Sequence, residues 1–114
     1  MKFSQRRADP AVIVTPEEAL DAQTAPAFEQ VLMQNLADNP ARLIIDLGVL
    51  RFIDSSGIGA IVRVHRAARD RNVVVIIAAA SDRVKMVFRL INLHKVLNMV
   101  DTVAAAEAFT PPQA

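Results

Sequence analysis

Cysteine, tryptophan and tyrosine are all missing from this chain, and five Phe supply its only aromatic side chains. Without cysteine there is no disulfide framework, no thiol nucleophile and no cysteine zinc site, which fits a reducing cytoplasm as the expected location. With so little aromatic volume the core must be aliphatic, built from Val, Ile, Leu and Ala. The hydrophobic share of 53% is ample for such a core and argues against disorder. Long apolar runs are lacking too. The longest, Val73 to Ala80, is far short of the ~20 residues that span a bilayer and suits a buried strand instead. Met1 to Arg7 has no apolar core of a signal peptide, so neither export nor membrane insertion is expected. A net charge of +1 provides no global field for nucleic acid.

A chain of 114 residues holds one core, and we expect a single domain over 1–110 with a loose tail at 111–114. Phe3 to Arg7 and Ala11 to Val14 read as an N-terminal hairpin turned at Ala8-Asp9-Pro10. Thr24 is placed to cap a helix with Pro26 in its first turn. Phe28, Val31, Leu32 and Leu36 follow on one face, and Asp38-Asn39-Pro40 ends the helix. Arg42 to Leu50 reads as one buried strand, and Val73 to Ala80 as another. Between them a helix starts at Asp54-Ser55-Ser56, carries Ile58, Ile61 and Val62, and closes at Asn72 in a left-handed turn. Ser81 caps a third helix with Val84, Val87, Phe88 and Ile91 facing inward, and Asn92 stops it. Val96 to Val100 is the last strand. Asp101 then caps a final alanine-rich helix running to about Phe109. Strands alternating with helices predict an α/β fold: a mostly parallel sheet of four to five strands, backed by about four helices.

Catalytic constellations are weak. His65 and His94 stand far from each other, and neither has a second candidate ligand nearby in sequence, so no metal or cofactor is expected. His65 lies two to three turns along the same helix as Ser56, over ~10 Å away by the helical rise, too far for a nucleophilic triad. Gly57-Ile58-Gly59 lacks the remaining glycine and lysine of a nucleotide-binding loop. We therefore expect no enzyme. Eight basic residues between Arg63 and Lys95 face only Asp70 and Asp82. They form either solvated helix faces or a docking surface for an acidic protein.

The informative segment is Asp46 to Gly59. A strand runs out through a loop, Phe52 and Ile53 anchor that loop in the core, and Asp54-Ser55-Ser56 is presented where a helix begins. Gly57 and Gly59 in the first turn cost roughly 1 kcal/mol each relative to Ala, which close approach of another backbone or of a partner would offset. Asp-Ser-Ser at a helix start is ordinary capping chemistry. It also holds a hydroxyl where free N–H groups and the helix dipole favour an anion. A phosphoryl group there would add about −1.5 to −2 charges to the surface with little change of fold.

The segment resembles the signature of the STAS domain family, in which Asp-x-x-x-x-x-Phe-Ile/Met-Asp-Ser-Ser-Gly-Leu-Gly joins the third strand to the second helix. Leu20 to Pro26 resembles the family's Leu-Asp-Ala-x-Thr-Ala segment, and Arg83 to Val96 its late helix and turn, so the likeness covers roughly residues 11 to 109. Where the family has Gly before Leu-Asp this chain has Glu18-Ala19; where it has Ser-Gly after the strand Asp, Gly48-Val49; and where it has Thr-Gly-Leu, Ile91-Asn92-Leu93. The resemblance implies an anti-sigma factor antagonist that works by partner switching. Unphosphorylated, such a protein binds an anti-sigma factor that is also a serine kinase of the histidine-kinase-like ATPase type. Phosphorylation of the serine before the glycine, here Ser56, breaks the contact, and a serine phosphatase restores it. Carried over, Asp54, Ser55 and Gly57 shape the site, Asp21 lies in the loop beside it, and Ile58, Arg63 and Arg66 lie next to the contact surface. Two other uses of the fold are open: a fixed structural subunit of a lipid-transport ATPase or sensory assembly, and a small anion or nucleotide sensor.

Overall fold

The computed structural model describes residues 2–111. In chain order it contains β1 (Phe3–Ala8), β2 (Ala11–Pro16), β3 (Glu18–Leu20), α1 (Ala25–Ala37), β4 (Arg42–Asp46) and β5 (Leu50–Ile53). There follow α2 (Ser55–Arg69), β6 (Val74–Ala78), α3 (Asp82–Leu90), a 3-10 turn at Leu93–Lys95, β7 (Asn98–Val100) and α4 (Val103–Glu107). Five strands form the main sheet in the order β1-β2-β4-β6-β7, antiparallel for the β1–β2 hairpin and parallel elsewhere. This is the expected α/β architecture.

Both faces of the central strands are covered, which is why their sequences do not alternate. Val12, Val14, Leu43, Ile45, Val75 and Ile77 pack with Phe28, Leu32, Ile61, Val64 and Phe88 from α1, α2 and α3. The residues between them, Ile13, Ile44, Ile76 and Ala78, face the other way, toward Ala106 of α4. With Phe28 and Phe88 fully buried, the rest of the core is almost wholly aliphatic.

Several boundaries differ from the sequence reading. The expected strand from Arg42 to Leu50 is broken at Leu47-Gly48-Val49, and its far end becomes β5, paired in parallel with β3 in a separate two-stranded sheet. β3 went unpredicted because three residues carry no periodicity. Phe52 is 52% exposed, so Ile53 alone anchors the loop. The strand expected to reach Ala80 ends at Ala78, where Ala79 turns left-handed with φ 63°. Ile91 lies beyond the end of α3 and is 51% exposed, not inward-facing. Thr102, not Asp101, caps α4, accepting a hydrogen bond from the Ala105 N–H, and α4 ends at Glu107, short of Phe109. Asn72 and Asn92 hold the left-handed turns expected of them, with φ of 57° and 59°. The expected tail at 111–114 lies outside the described residues except for Pro111.

Candidate functional site

The small β3–β5 sheet brings the two sequence segments together. β3 delivers Leu20 and the Asp21 loop alongside β5, and the Asp54 N–H donates to the Leu20 carbonyl at 3.1 Å. Leu20 and Ile53 are buried beneath this junction. Asp21 thus lies next to the Asp54 loop although 33 residues separate them, counting from 21 to 54.

Asp54 caps α2. Its Oδ1 accepts from the N–H of Ser56 at 2.8 Å and of Gly57 at 3.4 Å, with the extended backbone an N-cap requires. Neither serine hydroxyl is spent on the cap. Ser55 is exposed and Ser56 half-buried, and both border a hollow of 330 Å³ shared with Pro26, Glu29 and Arg63. Gly57 is buried against Leu20, and Ile58 is 7% exposed.

At the start of α1 the sequence reading is corrected. Thr24 makes no side-chain cap. Its hydroxyl donates to the Ala19 carbonyl and accepts from the Asp21 N–H, both at 2.9 Å. Asp21 closes the turn that precedes α1, its Oδ1 accepting from the N–H of Gln23 at 2.9 Å and of Thr24 at 3.1 Å. The Asp21 carboxylate is therefore engaged in shaping its own turn.

Arg63 extends from α2 to α1 and grips Glu29 as a fork. Its Nε lies 3.1 and 3.0 Å from the two carboxylate oxygens, and its Nη2 lies 2.7 Å from Oε1. The hydrogen bonds from Arg63, aided by its charge and opposed by partial burial, hold the Glu29 carboxyl below its ordinary value of 4.5. Glu29 was absent from the sequence-derived site, since nothing in linear spacing links it to residue 63. Arg66 is exposed and, with Ile58, Gly59, Val62, Val87 and Ile91, lines a mostly apolar groove of 450 Å³ between α2 and α3. The basic run is only partly free. Arg63 is tied to Glu29, Lys85 to Asp101 at 2.9 Å, and Arg71 to Asn39 at 3.1 Å.

Among the described residues no group of His, Asp or Glu side chains is arranged to hold a metal ion, and no helix is long and apolar enough to cross a membrane. At this helix start Ser55 borders both the groove and the 330 Å³ hollow, whereas Ser56 borders the hollow. The family model for the STAS domain matches residues 2–106, and the chain belongs to that family. Its fold is shared with an anti-sigma factor antagonist from Mycobacterium paratuberculosis at a TM-score of 0.86 and 23% identity, covering 94% of this chain and 91% of that one. An anti-sigma-factor antagonist (STAS) domain protein from Planctomyces limnophilus gives 0.81 at 16% identity, covering 91% and 92%. The Bacillus cell fate determinant SpoIIAA in its phosphorylated form gives 0.72 at 17% identity, covering 94% and 98%.

Proposed function

We propose that this protein is an anti-sigma factor antagonist that binds an anti-sigma factor with serine kinase activity and is released when Ser56 is phosphorylated. The observation that carries the reading is the division of labour at the start of α2. Asp54 takes the capping bonds, leaving the Ser56 hydroxyl to open onto a surface hollow. A phosphoryl group there meets the positive end of the helix dipole, so the fold tolerates it while the surface gains about −1.5 to −2 charges. That a protein of the same fold has been solved in a phosphorylated form is in keeping with this reading. In the transfer, the Ser56 oxygen takes the γ-phosphoryl group of ATP, ADP leaves, and the hydroxyl proton passes to a base of the kinase. A phosphatase reverses the modification with water.

The unmodified surface fits a protein partner. Ser55 lines the groove formed with Ile58, Val62, Arg66, Val87 and Ile91, and the α3 region also carries the exposed apolar side chains Met86 and Leu90. A patch of this kind on a small soluble domain marks a contact surface. The reading places the protein with its kinase in the cytoplasm and assigns it no chemistry of its own. Incubation with the cognate kinase and ATP should add one phosphate, and Ser56→Ala should abolish it. Undiminished labelling of Ser56→Ala would overturn the assignment.

A further inference from the structure

The geometry points to Arg63 as a built-in counter-ion for a phosphate on Ser56, kept in place by Glu29 while the serine is unmodified. This rests on the reading of Ser56 as the phosphoacceptor and adds how the fold receives the modification.

Seven residues at ~3.6 per turn return Arg63 to within about 20° of Ser56 around α2, some 10.5 Å along the axis. Helical side chains lean toward the N-terminus, so Arg63 covers much of that distance itself. Its Nη1 lies 3.1 Å from the point a Cβ on Gly59 would occupy. The guanidinium thus lies over Gly59, three residues from Ser56, where Cβ positions are ~5–6 Å apart. A phosphoryl group extending from the Ser56 hydroxyl fills most of that gap. Gly59 matters because a side chain there would press on the guanidinium.

Charge favours the exchange. Arg63 is the one cation lining the 330 Å³ hollow among the described residues, and Glu29 is the carboxylate lining it. Of the other acids nearby, Asp54 is committed to the α2 cap and Asp21 to its own turn. A phosphate brings three acceptor oxygens and nearly two charges against the single charge of Glu29, and a guanidinium binds it bidentately. Phosphorylation therefore draws Arg63 from α1 to the phosphate and repels Glu29. The α1–α2 bridge opens, and a second negative group is released on α1. The modification then alters two neighbouring helices instead of one atom.

Phosphoserine installed at position 56 during translation tests this without any kinase. Failure of kinase labelling and failure of this geometry are thereby separate results. The second ionisation of the phosphate is followed by 31P NMR. In a Glu29→Gln background it should fall roughly half a pH unit below its value in the Glu29→Gln, Arg63→Gln double variant, because a neighbouring cation favours the dianion. In the otherwise native protein the Arg63 Nε–H resonance should move when the serine carries phosphate. Equal ionisation in the two variants, or an unmoved Nε–H signal, overturns the proposal.

Discussion

Gly57 lies so close to Leu20 that a Cβ at position 57 would stand 2.7 Å from the Leu20 Cβ and 2.9 Å from the Leu20 carbonyl oxygen. This contact locks the first turn of α2 onto the end of β3 and so fixes where Ser56 is displayed. Gly57→Ala should cost about 1–3 kcal/mol in urea unfolding, as overpacking does. Gly59→Ala meets only the flexible end of Arg63 at 3.1 Å and gains up to ~1 kcal/mol of helix propensity, so it should be neutral or mildly stabilising. Equal effects from the two substitutions would contradict the packing account.

Asp54 and Ser56 should separate cleanly in stability. Asp54→Ala removes a side chain that caps two N–H groups and should lower stability by about 1 kcal/mol. Ser56→Ala removes a hydroxyl that caps nothing and should stay within ~0.5 kcal/mol of wild type. Chemical denaturation of the two variants decides the matter. A larger loss from Ser56→Ala would mean that the hydroxyl is structural.

Glu18 occupies a left-handed conformation with φ 66°, a region that favours glycine. A side chain there costs roughly 1–2 kcal/mol, partly offset by the extra freedom glycine has when unfolded. Glu18→Gly should therefore raise the urea midpoint, with a net gain of up to about 1 kcal/mol. A lowered midpoint would show that the Glu18 side chain makes up for its backbone strain.

His65 gives the fold a pH dependence. Burial, reinforced by the charge of Arg69, pushes its imidazole below the ordinary value of 6.5. The folded state then binds the proton less readily than the unfolded chain. No stability is lost above the unfolded value; it is lost as pH falls through 6.5 toward the lower folded value. Thermal melts from pH 7.5 to about 5.5 should show Tm falling in wild type and a shallower slope in His65→Gln. Parallel slopes would assign the dependence to other groups.

Much of this fold is legible in the sequence, because each parallel strand and each helix long enough to show a period reveals itself. A strand within Val73 to Ala80, the inward Ile58 and Ile61 of α2, and the left-handed turns at Asn72 and Asn92 are readable, whereas Val64, not the expected Val62, completes the buried face of α2. What escaped notice is tertiary in origin. β3 is too short to have a pattern and exists because β5 pairs with it. Phe52 looks like a core residue by composition, but its sheet has only two strands and leaves Phe52 exposed. Thr24 has the right residue type for a cap, yet its hydroxyl is taken up by the Ala19 carbonyl and the Asp21 N–H. At the site, the Asp54-Ser55-Ser56 loop was visible from its chemistry, whereas Glu29 entered only once α1 and α2 were seen side by side.

Partner binding reads the charge state at the Ser56 hydroxyl without intermediaries. Titration calorimetry of the cognate anti-sigma kinase should be run with wild type, Ser56→Ala and Ser56→Asp. Ser56→Ala should keep the affinity of wild type, and Ser56→Asp should lose it by at least about tenfold, which corresponds to ~1.4 kcal/mol. Equal binding by all three proteins would contradict a charge-operated switch at Ser56.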